Sequence, residues 1–389
     1  MKRATHVVVR ALLSASVLSF LAAIGWSQQP SITWLGVPSG VNDSQAYGVS
    51  ADGSVVVGSS WNGGNSLALR WTQAAGWQDL GKPVGFIRAE AFAVSGDGSI
   101  VVGYIWDGGA RWNGFRWTQA TGMQDLGSGE AYGISADGSV IVGARGRWTQ
   151  ATEWQDIGGP AYAATPDGSV IVGWAYDYSA SEMRAFRWTQ ATGPQFLGTL
   201  SGTSESLAHA VSADGSVAVG WTDPNHDAYR AFRWTASDGM EDLGSLGGGG
   251  YEYHFAYGVS ADGSIVVGSS NGRAFRWTQA TGMQDLNQVY ASLLNGGFLE
   301  EARAITPDGR YIVGVGYYQG RQQGFLLDTG TTRRDGDVNG DGCVDDADLL
   351  QVLFAFGNTG ANLPEDLNGD NTVDDADLLE VLFNFGSGC

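Results

Sequence analysis

The chain has 389 residues, 60 of them Gly and 15 Trp, with 43% apolar residues and a formal net charge of −20. Glycine at about twice its usual ~7%, without a Gly-X-Y period, excludes collagen, and the apolar content excludes plain disorder. Basic residues number 21 against 41 acidic, and Lys occurs only as Lys2 and Lys82, so the clustered cations that a nucleic-acid or anionic-membrane partner requires are missing.

Residues 1–27 carry Lys2, Arg3 and Arg10, then the apolar stretch Ala11 to Trp26, then the small Ser27. This is the order of a secretory signal peptide. Its apolar core is shorter than the ~20 residues a membrane span needs, and no later segment approaches that length. The mature chain is therefore expected to be exported from a bacterial cell, extracellular or associated with the cell surface, with no membrane span.

Residues 32–327 repeat one unit. Ser50-Ala51-Asp52-Gly53-Ser54-Val55-Val56-Val57-Gly58 has counterparts at Asp97-Gly98, Asp137-Gly138, Asp167-Gly168, Asp214-Gly215, Asp262-Gly263 and Asp308-Gly309, spaced by 45, 40, 30, 47, 48 and 46 residues. Asp-Gly between β-prone runs is a strong hairpin signal, because Gly reaches positive φ without steric penalty and Asp bonds the local backbone. An Arg-Trp-Thr strand follows, ending at Trp71, Trp117, Trp148, Trp188, Trp234 and Trp277, then a Gln-Asp-Leu-Gly strand. The Val runs indicate strands covered on both faces, as in stacked sheets. The seventh unit lacks its last strand, whereas Ile32-Thr33-Trp34-Leu35-Gly36 precedes the first unit as a spare. The expected fold is all-β: a seven-bladed β-propeller of four-stranded blades with strand-exchange closure, its third blade stunted.

In such a meander the uniform Asp-Gly and Ala-Thr-Gly turns share one face and the irregular connections share the other. The irregular connections carry Trp106, Trp112, Trp174, Tyr176, Trp221, Tyr317 and Tyr318, together with Trp61, Tyr178, His226, Tyr251 and Tyr253. Rigid aromatics among Asp, Asn and Arg suit a glycan or a protein partner. The competing reading is that these rings pad the joints between blades. Asp79, Asp125, Asp156, Asp242 and Asp285 recur and are read as architectural, as are the Arg of the Arg-Trp pairs, expected over aromatic faces or against blade Asp residues. His209, His226 and His254 show no metal spacing, and no catalytic motif is present, so no catalytic residue is assigned.

Residues 328–334 form a linker, and residues 335–389 carry 13 acidic side chains without Lys, Arg or His. Asp337, Asn339, Asp341, Cys343, Asp345 and Asp348 recur 29 residues later as Asp366, Asn368, Asp370, Thr372, Asp374 and Asp377. They stand at the ligand positions of a calcium loop, oxygen donors from side chains except at Cys343 and Thr372, which would offer backbone carbonyls; two calcium ions are expected. A short apolar helix follows each loop. So small a module has little core, so metal binding should supply most of its folding energy. Cys343 and Cys389 are the only two thiols; they are read as a disulfide, with an intermolecular bridge or attachment through Cys389 as alternatives.

These duplicated Asp-x-Asn-x-Asp loops, with Asp at the last ligand position and one helix after each, resemble a type I dockerin. The resemblance implies an EF-hand-like helical module that docks to a cohesin-like or cell-surface protein, with polysaccharide catabolism as the usual context. Asp346-Ala347 and Asp375-Ala376 replace the family's hydroxyl pair. The array, with Arg184-Ala-Phe-Arg-Trp188 and Leu197-Gly-Thr-Leu-Ser-Gly202, resembles extracellular HAF-repeat proteins, which bring no settled activity. Two functions follow. One is a secreted non-catalytic propeller that binds a glycan or protein and is tethered by its calcium module. The other is a polysaccharide-degrading, glycoside hydrolase-type component of a dockerin-assembled complex, with Asp107, Asp177, Asp223 and Asp227 as its candidate acids.

Overall fold

The computed structural model describes residues 29–223, 228–247, 252–330, 336–338, 344–360, 363, 365–367 and 372–386. The expected signal segment, His226, Asp227, Tyr251 and most of the linker lie outside the described residues.

The chain is mostly β, built from four-stranded antiparallel sheets in sequence order. The first comprises Gln45–Val49, Val55–Asn62, Asn65–Thr72 and Gly76–Asp79; the second comprises Arg88–Val94, Ile100–Trp106, Trp112–Thr118 and Gly122–Ser128. Two more begin at Ala131 and Ala161. The sets beginning at Glu205 and Glu252 are joined by a short parallel pairing of Ala228 with Glu252 and Tyr229 with Tyr253. The last set is Phe298–Ile305, Tyr311–Tyr318 and Arg321–Asp328, and its outer strand is the N-terminal Ser31–Trp34, with Ser31 opposite Asp328 and Trp34 opposite Phe325. The spare strand thus pairs where the missing one was required. The short third repeat also forms four strands, Ala131–Ile134, Ile141–Gly143, Gly146–Thr149 and Glu153–Gln155.

Each sheet buries its Val run against the next. Val57 and Phe115 belong to one apolar cluster of the first and second sheets, and Val172 and Phe232 to one of the fourth and fifth. Leu35, Val56, Trp71 and Val313 join the last sheet to the first, so the stack closes on itself.

Two recurring glycines set this geometry. The Gly that ends each Val run faces a carbonyl of the innermost strand: a Cβ on Gly58, Gly103, Gly143, Gly220, Gly268 or Gly314 would sit 1.8–1.9 Å from it, and on Gly173 2.1 Å. The Gly of each Asp-Gly turn has φ between 68° and 74° and tucks under the preceding sheet, Gly98 against Val55, Gly168 against Val140 and, across the closure, Gly53 against Tyr311. The turn Asp accepts from the Ser or Thr two residues earlier and from the amide two residues later; at Asp97 these bonds hold the carboxyl below its ordinary range.

Two arginines of the Arg-Trp pairs depart from expectation: Arg187 Nε donates to Gly215 O at 2.8 Å and Arg233 Nε to Gly263 O at 3.2 Å, which ties their sheets to the next turn's backbone rather than to rings or carboxylates. The recurring aspartates are architectural: Asp79, Asp125, Asp156 and Asp242 each accept from the amide two residues on, and Asp285 caps the short α1 (Leu286–Val289).

At the C-terminus, α2 (Asp346–Ala355) and α3 (Asp375–Asn384) begin with matching capping boxes, Asp345 with Asp348 and Asp374 with Asp377. Val344, Val352, Val373 and Val381 form one core between the two repeats. Gly357 N donates to Val373 O and Gly386 N to Val344 O, so each repeat's helix end is bonded to the other repeat's loop.

Candidate functional site

Every innermost strand carries one extra residue between two small ones. The register shifts between Ala46 and Gly48, Ala91 and Ala93, Ala131 and Gly133, Ala161 and Ala163, Ala208 and Ala210, Ala256 and Gly258, and Ala302 and Ala304. A bulge re-aims the side chain of its extra residue. The seven extra residues are Tyr47, Phe92, Tyr132, Tyr162, His209, Tyr257 and Arg303, and they meet in a closed ring. Tyr47 and Phe92 centroids lie 5.7 Å apart, Phe92 and Tyr132 6.1 Å, and Tyr132 and Tyr162 4.9 Å in a parallel stack. His209 stands edge-on between Tyr162 at 5.2 Å and Tyr257 at 5.4 Å. Arg303 closes the circle, 4.5 Å over Tyr257 and 5.6 Å over Tyr47, with Nε donating to Glu301 at 2.6 Å. All seven are partly buried, so they line the centre without sealing it.

Two residues before the ring stand polar groups toward the irregular turns. Tyr104 donates to Glu90 at 2.7 Å, Tyr132 donates to Glu130, and Gln45 Nε2 donates to Gln322 at 3.0 Å. Desolvation, then the carboxylate partner, push both tyrosine hydroxyls up, and desolvation pushes Tyr257 up to about 12, so all three are neutral donors across the physiological range.

Of the expected rim residues, some join this centre. Trp106 stacks on Trp112 at 5.2 Å, Trp112 meets Tyr104 at 5.3 Å, and Tyr104 meets ring residue Phe92 at 5.6 Å. On the opposite side Trp221 meets Tyr229 at 5.0 Å, which leads through Phe255 to Tyr257. Trp174 lies beside Tyr162 and partly offsets the desolvation that pushes its hydroxyl up. Tyr176 and Tyr317 are exposed at the rim, whereas Tyr318 lies flat on Trp34 at 5.0 Å and belongs to the closure. Two candidate acids are otherwise occupied: Asp107 caps its own loop and pairs with Arg111 at 2.7 Å, and Asp177 accepts from Ser179; Asp223 is buried. The ring itself escaped the sequence reading, although its signal was present as the one variable position inside a repeated Ala-x-Gly or Ala-x-Ala strand.

Burial, then the charge of Arg303, push the His209 imidazole down to about 3 from an ordinary 6.5. Below pH 6.5 the unfolded chain therefore takes up a proton that the native ring refuses. This contribution is complete above 6.5 and is lost as pH falls toward the folded value; by about pH 4 the loss should reach about 3 kcal/mol. His209→Gln should flatten that slope in denaturant titrations across this window, which lies above the titration of Asp167, held at about 2 by hydrogen bonds from Ser169 and Thr165. An identical slope in the variant would refute the assignment.

For the expected metal centre, Asn339, Asp341, Cys343, Asn368, Asp370 and Cys389 lie outside the described residues, and with them the disulfide. Among the described residues no three His, Cys, Asp or Glu side chains come together to hold a metal ion. Asp348 and Asp377 are fully buried and Asp337 nearly so. Asp377 accepts from Leu367 N at 2.7 Å and Asp374 N at 2.9 Å, which folds the last ligand position back onto the start of its loop. Asp348 accepts equivalently from Asp345 N at 2.9 Å. Asp345, Asp374 and Asp366 complete the described carboxylates, and Thr372 pairs with Thr359. Carboxylate donors of this kind would suit a hard cation such as calcium rather than a softer metal.

No protein-family model and no curated protein matches this chain. Among solved structures it is similar to an oligogalacturonate lyase in complex with manganese, at 15% identity over 76% of this chain and 92% of that one, TM-score 0.49. An oligogalacturonate lyase from Vibrio parahaemolyticus matches at 14% over 76% and 93%, TM-score 0.49. A putative TolB from Agrobacterium tumefaciens matches at 14% over 51% and 80%, TM-score 0.40.

Proposed function

We propose that this chain is a secreted, non-catalytic, seven-bladed β-propeller that binds a glycan on its irregular-turn face. A C-terminal calcium-binding, dockerin-like module tethers it to a cohesin-like or cell-surface protein. The observation that carries the first part is the aromatic track running from Trp106 and Trp112 through the ring to Trp221. Its rings are bordered by Glu90, Glu130 and Glu301, which gives stacking faces beside hydrogen-bonding groups. The occupied state of Asp107 and Asp177 argues against hydrolysis through those two groups.

The tether rests on a different feature. Leu350, Leu353, Phe354 and Phe356 on one repeat, and Leu379, Leu382, Phe383 and Phe385 on the other, are exposed, with Phe354 at 85% and Phe383 at 82%. Such apolar surface on so acidic a module marks a protein contact. The reading predicts that calcium-loaded protein retains immobilised neutral polysaccharides in affinity electrophoresis, without releasing reducing sugar. Retention should persist when Phe354 and Phe383 are both changed to Ser, whereas capture of a surface protein should be lost. Absence of retention, or release of sugar, would overturn the propeller assignment.

A further inference from the structure

We infer that the second sheet holds a subsite for one neutral pyranose ring, fixed by Arg88 and Glu90 against the face of Trp112; this rests on the glycan reading above. Arg88 and Glu90 are two apart on one strand and so project from the same side. Glu90 is only 7% exposed, and its Oε1 accepts from Tyr104 at 2.7 Å and from Trp61 Nε1 at 3.1 Å. Its second oxygen has no hydrogen bond among the described residues. Arg88 Nε donates to Gly64 O at 2.7 Å, and the guanidinium is held between Trp61 at 4.7 Å and Trp106 at 4.5 Å. Its terminal amino groups likewise have no hydrogen-bond partner among the described residues. Trp112, stacked on Trp106, leaves 40% of its surface to solvent.

A glutamate recurs at the Glu90 position as Glu130 and Glu301, but the combination of Arg88, Glu90, Tyr104 and Trp112 occurs once. Where Glu90 stands opposite Tyr104, other pairs at this position are Gln45 with Ser59, Leu207 with Trp221, Phe255 with Ser269 and Glu301 with Val315. An architectural set would recur whole with the repeat, as the turn aspartates do. Neighbouring carboxylate and guanidinium select a neutral polyol. Vicinal hydroxyls can donate to Glu90 and accept from Arg88 together, whereas an anion is repelled by Glu90 and a cation by Arg88. The Trp112 face takes the apolar side of the sugar ring.

The test is titration calorimetry of the full calcium-loaded chain with neutral oligosaccharides (β-glucan, xylan and mannan hexamers), an oligogalacturonate and a chitosan oligomer. A neutral hexamer should bind, and Trp112→Ala, Glu90→Gln and Arg88→Lys should each weaken it by about tenfold or more. Trp112 is exposed enough for its variant to fold, and unchanged melting of Glu90→Gln checks the buried site. Binding that survives all three changes but is lost in Tyr162→Ala overturns the subsite and leaves the glycan reading standing. Preference for a charged oligomer also overturns the subsite, and no binding by the unaltered chain overturns both.

Discussion

Gly220→Ala is expected to be among the most damaging single-atom changes in the β array, with a loss of about 3–5 kcal/mol. The added Cβ would lie 1.9 Å from Leu207 O and 2.9 Å from Ala208 Cα, both backbone atoms that no side-chain rotation can clear. Relief requires the innermost strand to give up the bulge at His209 or the sheet to separate. The bulge is what aims His209 into the ring, so local damage should also perturb the Tyr162–His209–Tyr257 contacts. Gly193→Ala is the matched control. Its φ is 66° but nothing lies within 4 Å of the added atom, so only about 1–2 kcal/mol of backbone strain is expected. Urea midpoints of the two variants decide the matter. Equal losses would mean that the carbonyl contact does not set the requirement for glycine.

Calcium removal should have the second large effect. Asp348 and Asp377 bring fully buried carboxylates to the ends of their loops, in a segment of 13 acidic residues with no Lys, Arg or His. Without a cation their mutual repulsion is uncompensated, so EDTA should abolish the helical signal of α2 and α3 while the β array keeps its amide protection. Titration with calcium alone should show about two ions. Asp377→Asn should remove one of them, with affinity at that loop falling about 100-fold or more, because it takes away a charged ligand. The substituted amide still offers an oxygen to Leu367 N or Asp374 N, whereas Asp377→Ala also uncaps α3 at about 1 kcal/mol. Two ions retained in Asp377→Asn, or helices that survive EDTA, would defeat the calcium assignment.

These two predictions show where sequence was informative. Strand positions and the uniform turns were legible because Asp-Gly and Arg-Trp-Thr each have a local conformational cause that repeats with the unit. The partner of Ser31–Trp34 was legible by counting, since one strand was surplus and one was short. Arg187 and Arg233 were misread because their acceptor is a carbonyl in the next turn, which has no side-chain signature. The rim aromatics share a sequence context but not a fate: Trp112 faces solvent over Trp106, while Tyr318 is committed to Trp34.

Sequence alone therefore determined the repeat, the alternation of buried and turn segments, and the duplicated carboxylate loops, because each depends on neighbours within a few residues. Tertiary structure decided the centre. Tyr47, Phe92, Tyr132, Tyr162, His209, Tyr257 and Arg303 lie some 30 to 48 residues apart along the chain, and they converge only because each bulge turns one residue inward and the stack closes. It likewise decided why the Gly that ends each Val run is required: a carbonyl at the adjoining innermost strand leaves no room for a Cβ there. Both are consequences of one backbone irregularity, and periodicity in sequence does not report irregularity in register.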